Sequence, residues 1–201
     1  MRDNGLQAGF LLRAAEYDRR GKLLVEKVQA GHSFVIAFPT GINWDLSNQS
    51  ITAPALTDTT GNSRTLSTTT TANEWATHAA AADTTLGIVV GTGTNAVAMA
   101  DTALQTQIAE GSSSGQLNHG AQSYGSAVMT TGTGSRYINI VRTFQNNSSG
   151  TISMTEAALY GTLMCTGATL RKFCFARDLL NASVTSGNLL VVQYQLIWAL
   201  T

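Results

Sequence analysis

The stretch Gly91-Thr92-Gly93-Thr94-Asn95-Ala96 has the spacing G-x-G-x-x-A and follows the apolar run Leu86-Gly87-Ile88-Val89-Val90. In dinucleotide-binding folds, glycines so placed let backbone amides close on a phosphate at the mouth of a helix. A carboxylate about 20 residues further on then binds a ribose. Glu110 stands 19 residues after Gly91. The chemistry needs context as well as spacing: the acid must end a second apolar strand, and strand–helix alternation must continue. Glu110 instead falls between a helix-like segment and the Ser/Gly run of residues 111–115, and no such alternation follows. Gly91 and Gly93 are therefore read as a bend leading from a buried strand into a short helix, where glycine admits positive φ. No cofactor is assigned.

The other residues capable of chemistry are scattered. His32, His78 and His119 lie far apart, with no spacing such as HxxxH or HExxH. His119, in Leu117-Asn118-His119-Gly120, is the most suggestive and is read as a plain core or surface histidine. Ser33 and the serines at 112–114 lack the strand–turn–helix setting of an activated nucleophile. Glu156 and Asp178 are the only acids after Glu110. Both fall in strand-like segments with Arg142 or Arg177 available, so an ion pair or hydrogen bonds to loop amides is expected. Cys165 and Cys174 sit in apolar surroundings and read as buried reduced thiols. Trp44, Trp75 and Trp198 are the aromatics that would build a sugar-stacking platform, although Trp198 lies on an apolar strand face. No catalytic, cofactor-binding or metal site is assigned.

The elements must come from a chain of 201 residues, 43% hydrophobic and only 12% charged, with zero net charge. That charge content is about half the usual ~25%. No global field steers the chain onto nucleic acid or acidic lipid, and no basic cluster is interleaved with aromatics. No run approaches the ~20 apolar residues of a membrane span, and no apolar signal core follows Met1-Arg2-Asp3-Asn4. Neither nucleic acid nor membrane is expected as a partner.

Strand patterns dominate. Residues 9–17 and 22–28 read as a hairpin joined by Asp18-Arg19-Arg20-Gly21, with turn residues at both ends. Residues 33–38 read as a third strand closed by Pro39. Residues 40–86 are Thr/Ala-rich and read as an extended loop or arm, with a short helix over 74–82. A helix is expected over 101–110, where Leu104 and Ile108 have i, i+4 spacing. Residues 135–144 alternate, with Ile138, Ile140, Arg142 and Phe144 on one face. Gln145 to Gly150 is hairpin-turn chemistry. In residues 170–180, Phe173 and Phe175 oppose Lys172 and Cys174. In the last strand Leu190, Val192, Tyr194, Leu196 and Trp198 share a face. Strands without intervening helices imply an antiparallel β-sandwich, jelly-roll-like, with one or two short helices. The expected organisation is a single domain: residues 1–39 a hairpin or arm region, 40–86 a loop or arm, and 87–201 the main sandwich. Residues 1–16 and 40–86 are the arm candidates.

One resemblance covers most of the chain. GIVVGTGTNAVAMADTALQTQIAEG, GQLNHGAQSYG, RTFQNNSSGTISMTEAALYG and FARDLLNASVTSGNLLVVQYQL resemble, in order, a group of tailed-bacteriophage virion proteins. That group carries "GTG…D..L...I..G", then "R.F.N.S.G.I...E.GLY", then an "RD" strand and "G..L.V.Y.L". AEYDRRGKLLVEKVQAGHSFVIAF is similar to the group's opening. Ala158, His32 and His119 depart from the usual Gly, Asn and aromatic. The resemblance implies a non-enzymatic β-sandwich located in the virion, whose partners are copies of itself and other virion structural proteins. The alternatives are a carbohydrate-binding or adhesin module and, third, a nucleotide-dependent enzyme built on Gly91 and Gly93.

Overall fold

The computed structural model describes residues 6–31, 34–46, 53–67, 75–125, 128–130 and 135–200. In chain order the elements are β1 (Leu6–Tyr17), β2 (Leu23–Gly31), α1 (Ala37–Leu46), β3 (Ala55–Thr57), β4 (Ser63–Thr65) and β5 (Gly87–Gly91). They continue with β6 (Asn118–His119), β7 (Ser123–Tyr124), β8 (Val128–Thr130), β9 (Ser135–Gln145), β10 (Ile152–Cys165), β11 (Thr169–Val184) and β12 (Leu189–Leu200).

The larger sheet runs β2-β1-β12-β9, with β6, β7 and β8 each adding a short rung to β9. The smaller sheet is β11-β10-β5, and β3-β4 form a separate hairpin. All these strand pairs are antiparallel. The β1–β2 turn follows its sequence: Asp18 Oδ1 accepts from the amides of Arg20 and Lys22 at 2.8 and 2.9 Å. Gly21 takes the left-handed φ of 77° that closes the turn.

The two sheets pack face to face, giving the antiparallel β-sandwich. Leu12, Phe144, Leu190 and Val192 of the larger sheet meet Ile88, Met154, Leu159 and Val184 of the smaller. Tyr194 ties the layers, donating its hydroxyl to the Ala157 carbonyl at 3.1 Å. The smaller sheet is buried on both faces. Its outer side packs Val89, Ala158, Tyr160 and Cys174 against Val35 and Leu104. This is why β5 reads as an unbroken apolar run and not as an alternation. A third cluster forms where β10 and β11 extend beyond the sandwich and meet α1 and the β3–β4 hairpin, around Leu56, Leu66, Leu163, Phe173 and Phe175.

Four sequence expectations need correction. The described residues of 33–38, Phe34 to Phe38, do not form a third strand, and Ser33 lies outside the described ones. Val35 makes one amide bond to the Phe175 carbonyl, and the chain then turns into α1. Pro39 is the third residue of α1, in the first turn, where amide hydrogens have no intrahelical partner to lose. Residues 101–110 are not a helix, for reasons given by the site below. Nor do the described residues of 74–82 form one: Ala76, Ala79 and Ala82 exchange backbone bonds with Thr162, Gln122 and His119. Finally, Leu6–Tyr17 is no arm but an inner strand between β2 and β12. The described part of residues 40–86 contains residues 40–46 of α1 and the β3–β4 hairpin, with Leu56, Leu66 and Ala79 buried.

Gly161 of β10 lies under the Phe175 ring, where an added Cβ would stand 2.0 Å from a ring carbon. Gly161→Ala is expected to lower unfolding stability by about 1–3 kcal/mol. Urea denaturation checks this, and an unchanged midpoint would show that the ring moves aside freely.

Candidate functional site

Glu156 lies on the middle strand of the smaller sheet, fully buried. Its Oε1 accepts from the amides of Gly93 (3.0 Å) and Thr106 (2.8 Å), and its Oε2 from the Gln105 amide (3.1 Å). Arg177, on the neighbouring strand β11, donates Nε–H to Oε2 at 2.9 Å. The same guanidinium reaches Asp101 Oδ2 at 2.8 Å and the Asn95 carbonyl at 3.1 Å. Gln105 Oε1 accepts from the amides of Thr94 and Asn95. Burial pushes the Glu156 carboxyl pKa up, but the amide bonds and Arg177 outweigh it and hold the group below the ordinary carboxylate value.

This geometry explains the glycines. A Cβ on Gly91 or Gly93 would stand 2.6 or 2.5 Å from Glu156 Oε1. Neither glycine is among those with positive φ. Their purpose is close approach, not a left-handed bend. The cradle of amides does hold an anion, and the anion is the chain's own carboxylate. It also explains the missing helix. The amides of Gln105 and Thr106, which a helix would have turned on its own carbonyls, go to Glu156. Residues 106–108 run beside β5 instead, with Thr92 N–H on the Thr106 carbonyl and Ile108 N–H on the Val90 carbonyl.

Arg142 sits among the core residues of β9, as its alternation predicts, and is fully buried. Its Nε–H goes to the Gly120 carbonyl at 2.9 Å. Its Nη1 reaches the carbonyls of Leu86 and Ile88, and its Nη2 those of Ala80 and Asp83. One guanidinium thus gathers the loop preceding β5 and the start of the β6–β7 connection. Of the two arginines expected to meet an acid, Arg177 takes Glu156, whereas Arg142 takes carbonyls. Asp178 is buried near Tyr194, whose hydroxyl pKa is raised well above normal by burial and then by Asp178.

His119 is a core histidine. Its Nδ1 faces Glu110 Oε2 at 2.8 Å, and its ring meets Phe144 edge-on at 5.1 Å. Glu110 also accepts from the His119 amide and from Asn118 Nδ2. His119 Nε2 is buried without a hydrogen-bond partner. Burial, and then the charge of Arg142, push its pKa below the usual 6.5, while Glu110 and Asp83 pull the other way. The neutral ring therefore donates its Nδ1–H to Glu110.

The remaining expected residues are dispersed. His78 is exposed and stacks on Tyr124. Cys165 and Cys174 are buried free thiols, in different clusters, with pKa values raised by burial. Trp75 is half-buried, packed against Phe38 and Phe175. His32 and Ser33, and the side chains of Trp44 and Trp198, lie outside the described ones. Among the described residues, no group of three or more His, Cys, Asp or Glu is placed to hold a metal, and no helix is long and apolar enough to cross a membrane.

Two residues that sequence reasoning missed do similar work. Gln122 gives Oε1 to the Ile88 amide at 2.6 Å and its Nε2 hydrogens to the Thr77 carbonyl and the Tyr124 hydroxyl. Asn146 is buried, bridging the carbonyls of Gly150 and Val184 and accepting from Ser148. Its place in Gln145-Asn146-Asn147-Ser148 was the readable signal for a side-chain-closed turn. Comparison with protein-family models, curated proteins and solved structures finds no match to this chain.

Glu156→Gln keeps the shape but turns a donor toward the amides and leaves Arg177 short of its partner. A loss of about 3–5 kcal/mol is expected, read by denaturant titration. A loss below ~1 kcal/mol would mean the cradle is dispensable.

A pH dependence also follows. The unfolded imidazole titrates near its ordinary 6.5 and the folded one lower. Between those values the unfolded chain binds a proton the folded chain refuses, so stability is full above pH 6.5 and falls below it. Glu110 and Glu156, both held below their ordinary 4.5, add to the loss only at lower pH. His119→Phe is expected to flatten the decline in melting temperature between pH 6.5 and 5. An identical decline in both proteins would assign it elsewhere.

Proposed function

We propose that this chain is a non-enzymatic structural component of a bacteriophage virion, at the neck or collar, the tail or the capsid surface. It works by associating with copies of itself and with other virion proteins. The observation that carries the reading is how the reactive groups are used. Glu156, Arg177, Arg142, Glu110 and His119 are buried or partly buried, and their hydrogen bonds go to backbone groups, to one another and to Asp101 and Asn118. Such groups fix loops against a sandwich, which is what a subunit needs if its surface loops must present one shape to many neighbours. The resemblance of the strand and turn pattern to tailed-phage virion proteins supports the same reading. So does a composition in which neutral polar residues far outnumber charged ones.

Mass spectrometry of gradient-purified particles from cells expressing the phage genome tests the proposal. The chain is expected in the particle at many copies, in a fixed ratio to the capsid protein. Its presence in the lysate and absence from washed particles would overturn the assignment.

A further inference from the structure

β2 ends the larger sheet, with β1 as its strand neighbour. Its residues from Leu23 to Ala30 are all exposed, on both faces. Leu24, Val25 and Val28 are 46%, 51% and 57% exposed. Among the described residues the outer edge of β2 has no strand partner, and an edge strand of this length with apolar side chains is a template for another strand.

The strand's own sequence favours a second copy. A bulge interrupts the β1–β2 ladder between the pairs Glu16–Val25 and Tyr17–Leu23, so the regular stretch is Val25–Gly31. Two antiparallel copies are related by a two-fold axis perpendicular to the sheet. Facing side chains must lie on the same side, so the axis passes through a residue paired with itself. Only an axis at Val28 uses all seven regular residues. It sets Val28 against Val28 of the second copy, Lys27 against Gln29, Glu26 against Ala30, and Val25 against Gly31. No like charges are directly opposed. An axis at Lys27 or Glu26 opposes two like charges, which is unfavourable, and an axis at Gln29 shortens the ladder. Glu26 is meanwhile engaged by Arg13 of its own β1, so it needs no partner across the axis.

We propose that β2 is a self-association edge. Two copies of the chain pair antiparallel through Val25–Gly31 with Val28 on the two-fold axis, joining two large sheets into one. The proposal deepens the reading of the chain as a self-assembling component and rests on it.

The test uses full-length Val28→Cys and Glu26→Cys chains, oxidised with copper–phenanthroline and run on non-reducing gels. The natural thiols are buried and give little background. At the axis, Cβ atoms of the two copies lie within about 5.5 Å, close to disulfide reach. At Glu26 the two equivalent positions are offset by four residues, about 14 Å along the strand. Val28→Cys is expected to cross-link at least roughly tenfold faster than Glu26→Cys, and Val28→Lys to lower the mass seen by light scattering to that of the monomer. Equal cross-linking of both variants, or none, in a sample that scatters as an oligomer would overturn this edge while leaving self-assembly intact. A monomer at every concentration, in a chain still found in particles, would overturn the edge and assign assembly to contacts with other virion proteins.

Discussion

The carboxylate of Glu156 stands at the centre of what makes this sandwich hold its loops. The segment from Thr92 to Thr106 follows a buried strand and crosses the outer face of the smaller sheet with little regular structure of its own. Its amides must find partners, because an unpaired buried donor costs 1–3 kcal/mol. Three of them converge on one side chain, and Arg177 balances the charge while reaching out to Asp101 and Asn95. The close approach of Gly91 and Gly93, the course of residues 101–110 and the packing of Leu104 over Tyr160 all depend on that convergence. Even the Tyr160 hydroxyl takes part, accepting from the Leu104 amide at 2.6 Å.

The same solution recurs across the molecule with different chemistry. Arg142 gathers carbonyls, Gln122 takes one amide and one carbonyl, and Asn146 closes a turn. Asp58 does so in the β3–β4 hairpin: burial pushes its carboxyl up, but the Thr60 hydroxyl, Arg64 and the amides of Asn62 and Thr60 outweigh it and hold it well below normal. Polar side chains stand in for the missing sheet neighbours of irregular backbone. A chain with few charges places several of them indoors, which leaves its outside still more neutral than its composition suggests.

What was legible in the sequence was periodic and local. The alternation of residues 135–144 put Arg142 on the core face beside Ile140 and Phe144, where it is. The turn residues at Asp18 and Gly21 fixed the first hairpin, and Leu190, Val192 and Tyr194 marked an inward face. The candidate site was half visible: Glu156 was expected to meet an arginine or loop amides and meets both. Its partner glycines were not readable, because Gly93 and Glu156 are 63 residues apart and nothing local links them. The helix expected over 101–110 failed for the same reason. Leu104 and Ile108 are both buried, but in different clusters, their spacing produced by an extended segment crossing the edge of β5. In residues 34–38, Val35 and Ala37 are buried around exposed Ile36, but the helix already begins at Ala37, with Pro39 in its first turn.

The ladder between β1 and β12 runs from Leu6 opposite Leu200 to Tyr17 opposite Leu189, and β12 is also the sole bridge from β1 to β9 in the sheet order. Closure of the larger sheet therefore depends on β12. Without it, the β1–β2 hairpin and β9 with its short partners are fragments of a sheet with a gap between them. Leu12, Ala14, Ile140 and Phe144 share their core cluster with Leu190, Val192 and Tyr194 of β12. The larger sheet closes only when β12 slides into that gap, so contacts distant in sequence form together.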